Sequence, residues 1–205
     1  SIPIAYYGTS NAARMKTTYR RGLGNRYGRV MQVISGIHFN YSFSDSFWES
    51  YKDYKNIQAN LKDFKSEQYF CVSRNLLRND WLIAYLFGCS PAVCKSYLSG
   101  KDTRMESFDE HTFYEKYATS LRMGDIGYQN NKEEDMGVNV DYNSLRNYSS
   151  SLNRAIKTES KEYQKIGVHS DGYYKQINAS TLQIENEYYS SVRPKPDPNL
   201  KTRPS

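Results

Sequence analysis

Val30–Ser42 runs VMQVISGIHFNYS, and its reading decides the expected fold. Val, Ile, Phe and Tyr dominate the stretch, side chains that fit a pleated surface, so a strand is predicted. Side chains alternate between the two faces of a strand. Gln32, Ile34, Gly36, His38, Asn40 and Ser42 then share one face, and Val33, Ser35, Ile37, Phe39 and Tyr41 the other. The second face is mostly apolar and suits packing under helices. The first places Gln, His and Asn in a row, and Gly36 leaves room midway for a ligand or another backbone. Pattern alone describes a half-exposed strand with a polar outer face; a site there needs further support.

Upstream, Ser10 or Asn11 can cap a helix carrying Met15, Tyr19 and Leu23 at spacings of four. Arg14, Lys16, Arg20 and Arg21 crowd it with positive charge, and Gly22 and Gly24 weaken its end. A second short helix leads through Tyr27 toward Gln32. Downstream, residues 43–66 form a Lys-rich, aromatic connection. Gln68–Phe87 has the clearest helical period, with Phe70, Leu76, Leu77, Trp81, Ala84 and Phe87 toward one side. Trp81 and Phe87 are assigned to the core. Gly88 and Pro91 stop this helix, and Pro91 opens a short one to Leu98. Residues 101–116 read as a charged loop with a lone surface histidine, His111. A polar loop is expected over Asn130–Asp135. Asp141 caps a helix carrying Leu145, Tyr148, Leu152 and Ile156, and Ser160–Ile166 adds a turn or two. Asp171–Gly172 suits a hairpin turn. The last expected strand is Leu182–Val192, with Gln183, Glu185, Glu187, Tyr189 and Arg193 on one face.

The 205 residues are enough for one domain with its own core. The chain is polar for a globular protein, 38% hydrophobic with a mean hydropathy of −0.82, and its 20 tyrosines supply much of the apolar area. A net charge of +6 suits an anionic partner, either nucleic acid or phosphate and carboxylate ligands. The cations are dispersed among acidic residues, as on an ordinary solvated surface. Cys71, Cys89 and Cys94 lack metal-type spacing, and no apolar run is long enough to span a membrane. A reducing cytosol is the expected compartment.

Tyr7–Ser42, YGTSNAARMKTTYRRGLGNRYGRVMQVISGIHFNYS, resembles the central part of the proteobacterial type of glutamate–cysteine ligase. YATSLRMGDIGY (Tyr117–Tyr128), AIKTESKEYQKIG (Ala155–Gly167) and LQIENEYYSSVRPK (Leu182–Lys195) continue the resemblance in the family's order. It weakens over residues 48–66 and fades after Lys195. The resemblance implies an α+β, glutamine-synthetase-like ligase fold, in which an antiparallel active-site sheet is surrounded by helices. Residues 1–195 would be the central part of a single catalytic domain, and 196–205 a polar, Pro-rich tail. The family's enzymes extend beyond both ends of this chain, which opens on Ser1, so a fragment is expected.

The implied reaction joins the γ-carboxyl of L-glutamate to L-cysteine at the expense of ATP, with Mg²⁺, as the first step of glutathione synthesis. Such a carboxylate is activated as an acyl phosphate, which calls for cations beside the phosphoryl group and fixed sites for two amino acids. By resemblance, Arg20 and Arg122 are the catalytic arginines. Tyr19, Gln32, Tyr128 and Tyr189 bind substrate, and His38 contributes to the metal. On chemistry alone His38 is a poor ligand for so hard a cation, and Arg20 is one of several arginines on a basic helix. Glu185 and Glu187 read either as paired carboxylates or as salt-bridged structure. The acidic segments that supply most of the family's metal ligands are not within these residues, so the chain alone is expected to be inactive. Two alternatives stand beside the ligase: a basic, Tyr-rich module that stacks on single-stranded nucleic acid, and a non-catalytic relative of the ligase. With the ligase, the partners are small molecules, with neither nucleic acid nor membrane.

Overall fold

Ser10 caps the first helix as its position suggests: its hydroxyl accepts the Ala13 amide at 3.2 Å, and α1 runs Asn11–Tyr27. A computed structural model of the chain describes residues 2–33, 36–98, 102–121 and 139–196. The glycines do not end α1. Gly22 lies where the helix meets Gln183, and a Cβ there would stand 2.0 Å from Gln183 Oε1, so the approach requires its absence. The helix stops at Gly28, at φ +90°, and a 3-10 turn follows over Arg29–Gln32.

The expected strand over Val30–Ser42 does not form. Its first residues are wound into the 3-10 turn, and residues 36–43 are extended but pair with no neighbour among the described residues. Extended backbone becomes a strand only in a ladder, and none is provided. Ile37 and Phe39 are accordingly 99% and 86% exposed. An aromatic chain runs from Phe39 through Tyr41 to Phe43, whose ring stacks on Phe47 at 4.5 Å and meets Trp48 edge-on at 5.2 Å. Trp48, in α2 (Asp45–Tyr54), is buried against Phe64 and Tyr69 of α3 (Leu61–Arg78). The Tyr69 hydroxyl accepts both the Trp48 indole N–H and the Phe43 amide.

The long helix expected from Gln68 begins earlier, at Leu61, and breaks at Asn79. There the Asn79 side chain donates to the Asn75 carbonyl at 2.8 Å and competes with the helical pattern. A separate α4, Asp80–Phe87, leaves at a new angle with all its large apolar side chains outside the core. Trp81 is 62% and Phe87 76% exposed, which corrects their assignment to the core.

Pro91 opens a strand instead of a helix: β1 (Ala92–Cys94) pairs antiparallel with β3 (Thr112–Tyr114), which pairs on its other edge with β2 (Glu106–Ser107). The charged loop thus folds partly as sheet, in strands of two or three residues that are too short to show a period. His111 is on the surface, as expected. Tyr97, Leu98, Met105 and Leu121 form a small core beside this sheet, joined by Val30 and Met31 of the 3-10 turn.

The second core is built on α5 (Leu145–Lys157), capped by Ser144 rather than Asp141, which instead accepts the Asn143 amide and the Asn147 side chain. Tyr148, Leu152 and Ala155 face Phe70, Val140, Leu182 and Tyr188. The short α6 (Lys161–Ile166) leads to the hairpin of β4 (His169–Ser170) and β5 (Tyr173–Tyr174). Asp171 and Gly172 turn it at φ 52° and 80°, the primed turn that the sequence anticipates. Leu182–Val192 is not a strand; a 3-10 turn occupies Glu185–Glu187. Helices and small antiparallel sheets occupy separate parts of the chain, which is the α+β class. Among the described residues, no helix is long and apolar enough to cross a membrane.

The bare α4 and the unpaired Ile37–Tyr41 segment leave many large apolar side chains in solvent, which favours association. The 205-residue chain is expected to bind a hydrophobic dye and to associate with rising concentration in sedimentation velocity. Trp81→Asp with Phe87→Asp should reduce both, and a parent chain that stays monomeric at 100 μM would refute this.

Burial raises the phenol pKa of Tyr19, Tyr148 and Tyr163 above the ordinary value. A raised folded pKa means that the unfolded chain ionises first. The stability these groups provide is complete below about pH 10 and is lost as pH climbs from there through the folded values. Their tyrosinate absorbance should therefore appear together with unfolding rather than before it, in an alkaline titration followed by absorbance and circular dichroism.

Candidate active site

Arg26, near the end of α1, carries the centre of the site's support. Its side chain and that of Glu187 are both fully buried and meet at 3.0 Å. Three further bonds direct the guanidinium: Nε to Gln176 Oε1 at 2.8 Å, Nη2 to the Asn178 carbonyl at 2.8 Å, and Nη1 also to the Thr181 carbonyl at 3.3 Å. The plane lies over the Tyr163 ring at 4.0 Å. Glu187 is held equally closely. Oε1 also accepts the Tyr27 hydroxyl at 3.0 Å, and Oε2 the Gln183 amide at 2.6 Å. Burial pushes the carboxyl above its usual range, while Arg26, the Gln183 amide and Tyr27 pull it back toward the charged form.

This network explains why residues 182–192 are not a strand. Glu187 turns inward to Arg26 while Tyr188 enters the apolar core, so the backbone winds through a 3-10 turn instead of alternating. Of the two readings open for Glu187, the salt-bridged one is correct. Arg26, Gln176 and Gln183 have no local pattern that marks them. Of the three, only Gln183 adjoins a core position in sequence, Leu182.

The network reaches candidate site residues through the backbone of α1. Gln183 Oε1 accepts the Ile177 amide, and its Nε2 donates to the Tyr19 carbonyl at 3.5 Å. Burial and the Glu187 charge raise the Tyr19 phenol, against the pull of Arg20, Arg193 and Arg26. Tyr19 therefore remains a neutral hydroxyl at physiological pH. Arg20 is exposed and lies 6.0 Å from the Tyr19 ring centroid. It makes no ion pair among the described residues. Gln32 Nε2 donates to the Arg20 carbonyl at 3.2 Å, so the 3-10 turn closes back onto the helix. Tyr189 is half-buried, two residues beyond the Glu187 anchor. Arg193 donates to Asn186 and closes that segment.

Tyr19, Arg20 and Gln32 are thus neighbours, with Tyr189 on the segment clamped beside them. His38 does not join them. It lies on the unpaired extended segment, exposed, and does not share a strand face with Gln32. Among the described residues no three His, Cys, Asp or Glu side chains are grouped to hold a metal ion, so these donors do not fit Mg²⁺. Arg122 and Tyr128 lie outside the described residues.

The glutamate–cysteine ligase family profile matches residues 1–205. A glutamate–cysteine ligase of Alcanivorax borkumensis is 50% identical over 200 residues, covering 95% of this chain and 38% of the relative. One of Shewanella oneidensis is 49% identical over 197 residues, covering 95% and 37%. The crystal structure of the Francisella tularensis glutamate–cysteine ligase in complex with AMP superposes with a TM-score of 0.82 at 37% identity, covering 97% of this chain and 38% of that one. The chain therefore spans well under half the length of the relatives it matches.

Removing one partner of the Arg26–Glu187 pair strands the other charge in the interior. Glu187→Ala and Arg26→Ala should each cost about 3–5 kcal/mol, and the double substitution clearly less than their sum. Urea unfolding followed by circular dichroism at low micromolar protein checks this. Additive losses would show that the two side chains act independently.

Proposed function

The chain belongs to the glutamate–cysteine ligase family, and from that premise we propose that it is part of an ATP-dependent ligase that joins L-glutamate to L-cysteine. A γ-carboxylate oxygen of glutamate attacks the terminal phosphorus of ATP, forming γ-glutamyl phosphate and releasing ADP. The cysteine amine then attacks the acyl carbon, losing a proton, and inorganic phosphate leaves with the C–O bond. The observation that carries this reading is the likeness to the AMP-bound Francisella enzyme over 97% of this chain.

Each residue has work suited to its setting. Arg20 is exposed and without an ion-pair partner among the described residues, so its guanidinium is available to fork onto a carboxylate or phosphate. Gln32 spends one amide N–H on the Arg20 carbonyl and keeps its oxygen and second N–H for an amino-acid substrate. Tyr19 and Tyr189 supply aromatic walls and hydroxyls for a small thiol substrate. Arg122 and Tyr128 complete the set by resemblance. His38 has no group of carboxylates beside it among the described residues to complete a Mg²⁺ site. The cytosol is the compartment that this chemistry and the unpaired cysteines suit. The nucleic-acid alternative gains no support from any of the relatives.

The test is ADP release by the full-length protein, which should require both glutamate and cysteine. Arg20→Ala should lower kcat/KM by 100-fold or more, since it removes a charge-assisted contact, while leaving the melting temperature within a few degrees. ADP release without glutamate, or a near-normal rate in Arg20→Ala, would overturn the assignment.

A further inference from the structure

A cavity lies beside the network, and Arg20 is not among its lining residues. It is an open cleft of about 580 Å³ whose lining includes Arg21, Asn25, Arg29, Lys165, Tyr173 and Lys175. Arg21 and Asn25 share one face of α1 at a spacing of four, and Arg29 joins them in the cleft from the 3-10 turn beyond Gly28. Arg20 is one residue away, about 100° round the helix. Lys165 comes from α6, and Tyr173 and Lys175 from the hairpin and the residue after it.

Four cations from three elements meet in this cleft, and no carboxylate is among its described lining residues. Like charges brought together cost stability, and a merely solvated surface intersperses them with acids, as the rest of this chain does. Two of the four are fixed in place. The Arg21 Nη1 donates to the Tyr174 carbonyl at 2.6 Å, and its guanidinium lies 5.0 Å from the Tyr173 ring centroid. The Arg29 Nη1 donates to the Ile2 carbonyl at 3.1 Å. Each guanidinium has five N–H donors and spends one on these carbonyls, so most remain to be used. Asn25 Nδ2 donates to the Lys175 carbonyl at 2.9 Å and ties the hairpin side of the cleft to α1. Lys165 and Lys175 form no ion pair among the described residues. The volume lies in the range of small-molecule sites, roughly 300–1,000 Å³.

We propose that this cleft is a binding site for a small polyanion, a compound carrying two or more phosphate or carboxylate groups, separate from the site around Arg20. It rests on the cleft's own geometry and not on the ligase reading. A bound polyanion bridges α1, α6 and the hairpin, and so stabilises the arrangement in which Gln176 meets Arg26.

The experiment uses the full-length protein with inorganic pyrophosphate and citrate as probes. Calorimetric titration at constant ionic strength reads the affinity, and thermal denaturation reads the stabilisation. Expected is pyrophosphate binding with ATP saturating the ligase site, at an affinity that falls about tenfold for each of Lys165→Gln and Lys175→Gln, which remove charge without breaking a side-chain hydrogen bond among the described residues. Arg20→Gln should leave this affinity unchanged, whatever it does to ligase activity. Equal binding of citrate would identify charge as the selected property, and pyrophosphate alone would identify phosphate geometry; either supports the site. Binding absent at 10 mM pyrophosphate, unaltered in the Lys165→Gln/Lys175→Gln double variant, or lost in Arg20→Gln, would overturn it.

Discussion

The buried ion pair between Arg26 and Glu187 is the constraint on which most of this structure depends. Moving two charges out of water costs several kcal/mol per ion, and attraction repays this only where every remaining lone pair and proton is also satisfied. Here the satisfaction is nearly complete: Gln176, Thr181 and Asn178 serve the guanidinium, and Tyr27 and Gln183 serve the carboxylate. Each of these partners lies on α1 or within residues 176–187. Closing the network therefore fastens the C-terminal segment onto the first helix at one orientation. Tyr189 inherits its place from Glu187, and Tyr19 its contact from Gln183.

The apolar cores sit to either side of this polar one. Phe70, Leu152 and Leu182 pack on one side, and Tyr97, Leu98 and Met105 gather beside the small sheet. Hydrophobic burial has no direction and fixes no register. The glycine-tight approach of α1 to Gln183 and the five hydrogen bonds around Arg26 and Glu187 do. Specificity in this chain is thus concentrated where its charge is buried.

Capped helices and turn residues were legible from sequence because their physics is local. Ser10 and Asp171–Gly172 act within four residues of themselves and behave as read, whereas the cap expected at Asp141 falls to Ser144. The two expected strands failed for opposite reasons. Residues 36–43 have strand composition but no ladder partner among the described residues, and residues 182–192 have an alternating pattern but a buried ion pair that takes Glu187 out of it. Asn79 broke a helix that periodicity had drawn as continuous, and Trp81 left the core with it. The neighbourhood of Tyr19, Arg20 and Gln32 was legible only through the family resemblance. No spacing on α1 announces that Arg26 meets a residue 161 positions away.

That separation bears on how the chain is made. A ribosome adds roughly 5–20 residues each second, so on the order of 8–30 s pass between the emergence of Arg26 and that of Glu187. During this interval α1 has its cap and its helical hydrogen bonds, but the charge at its far end can only stay in water. The α2–α3 aromatic cluster and the small sheet are complete before residue 122 and can condense early. Closure of the network waits for residues 176–187, and until they emerge and fold back on α1 the segments made between Arg26 and Glu187 are held from one side only.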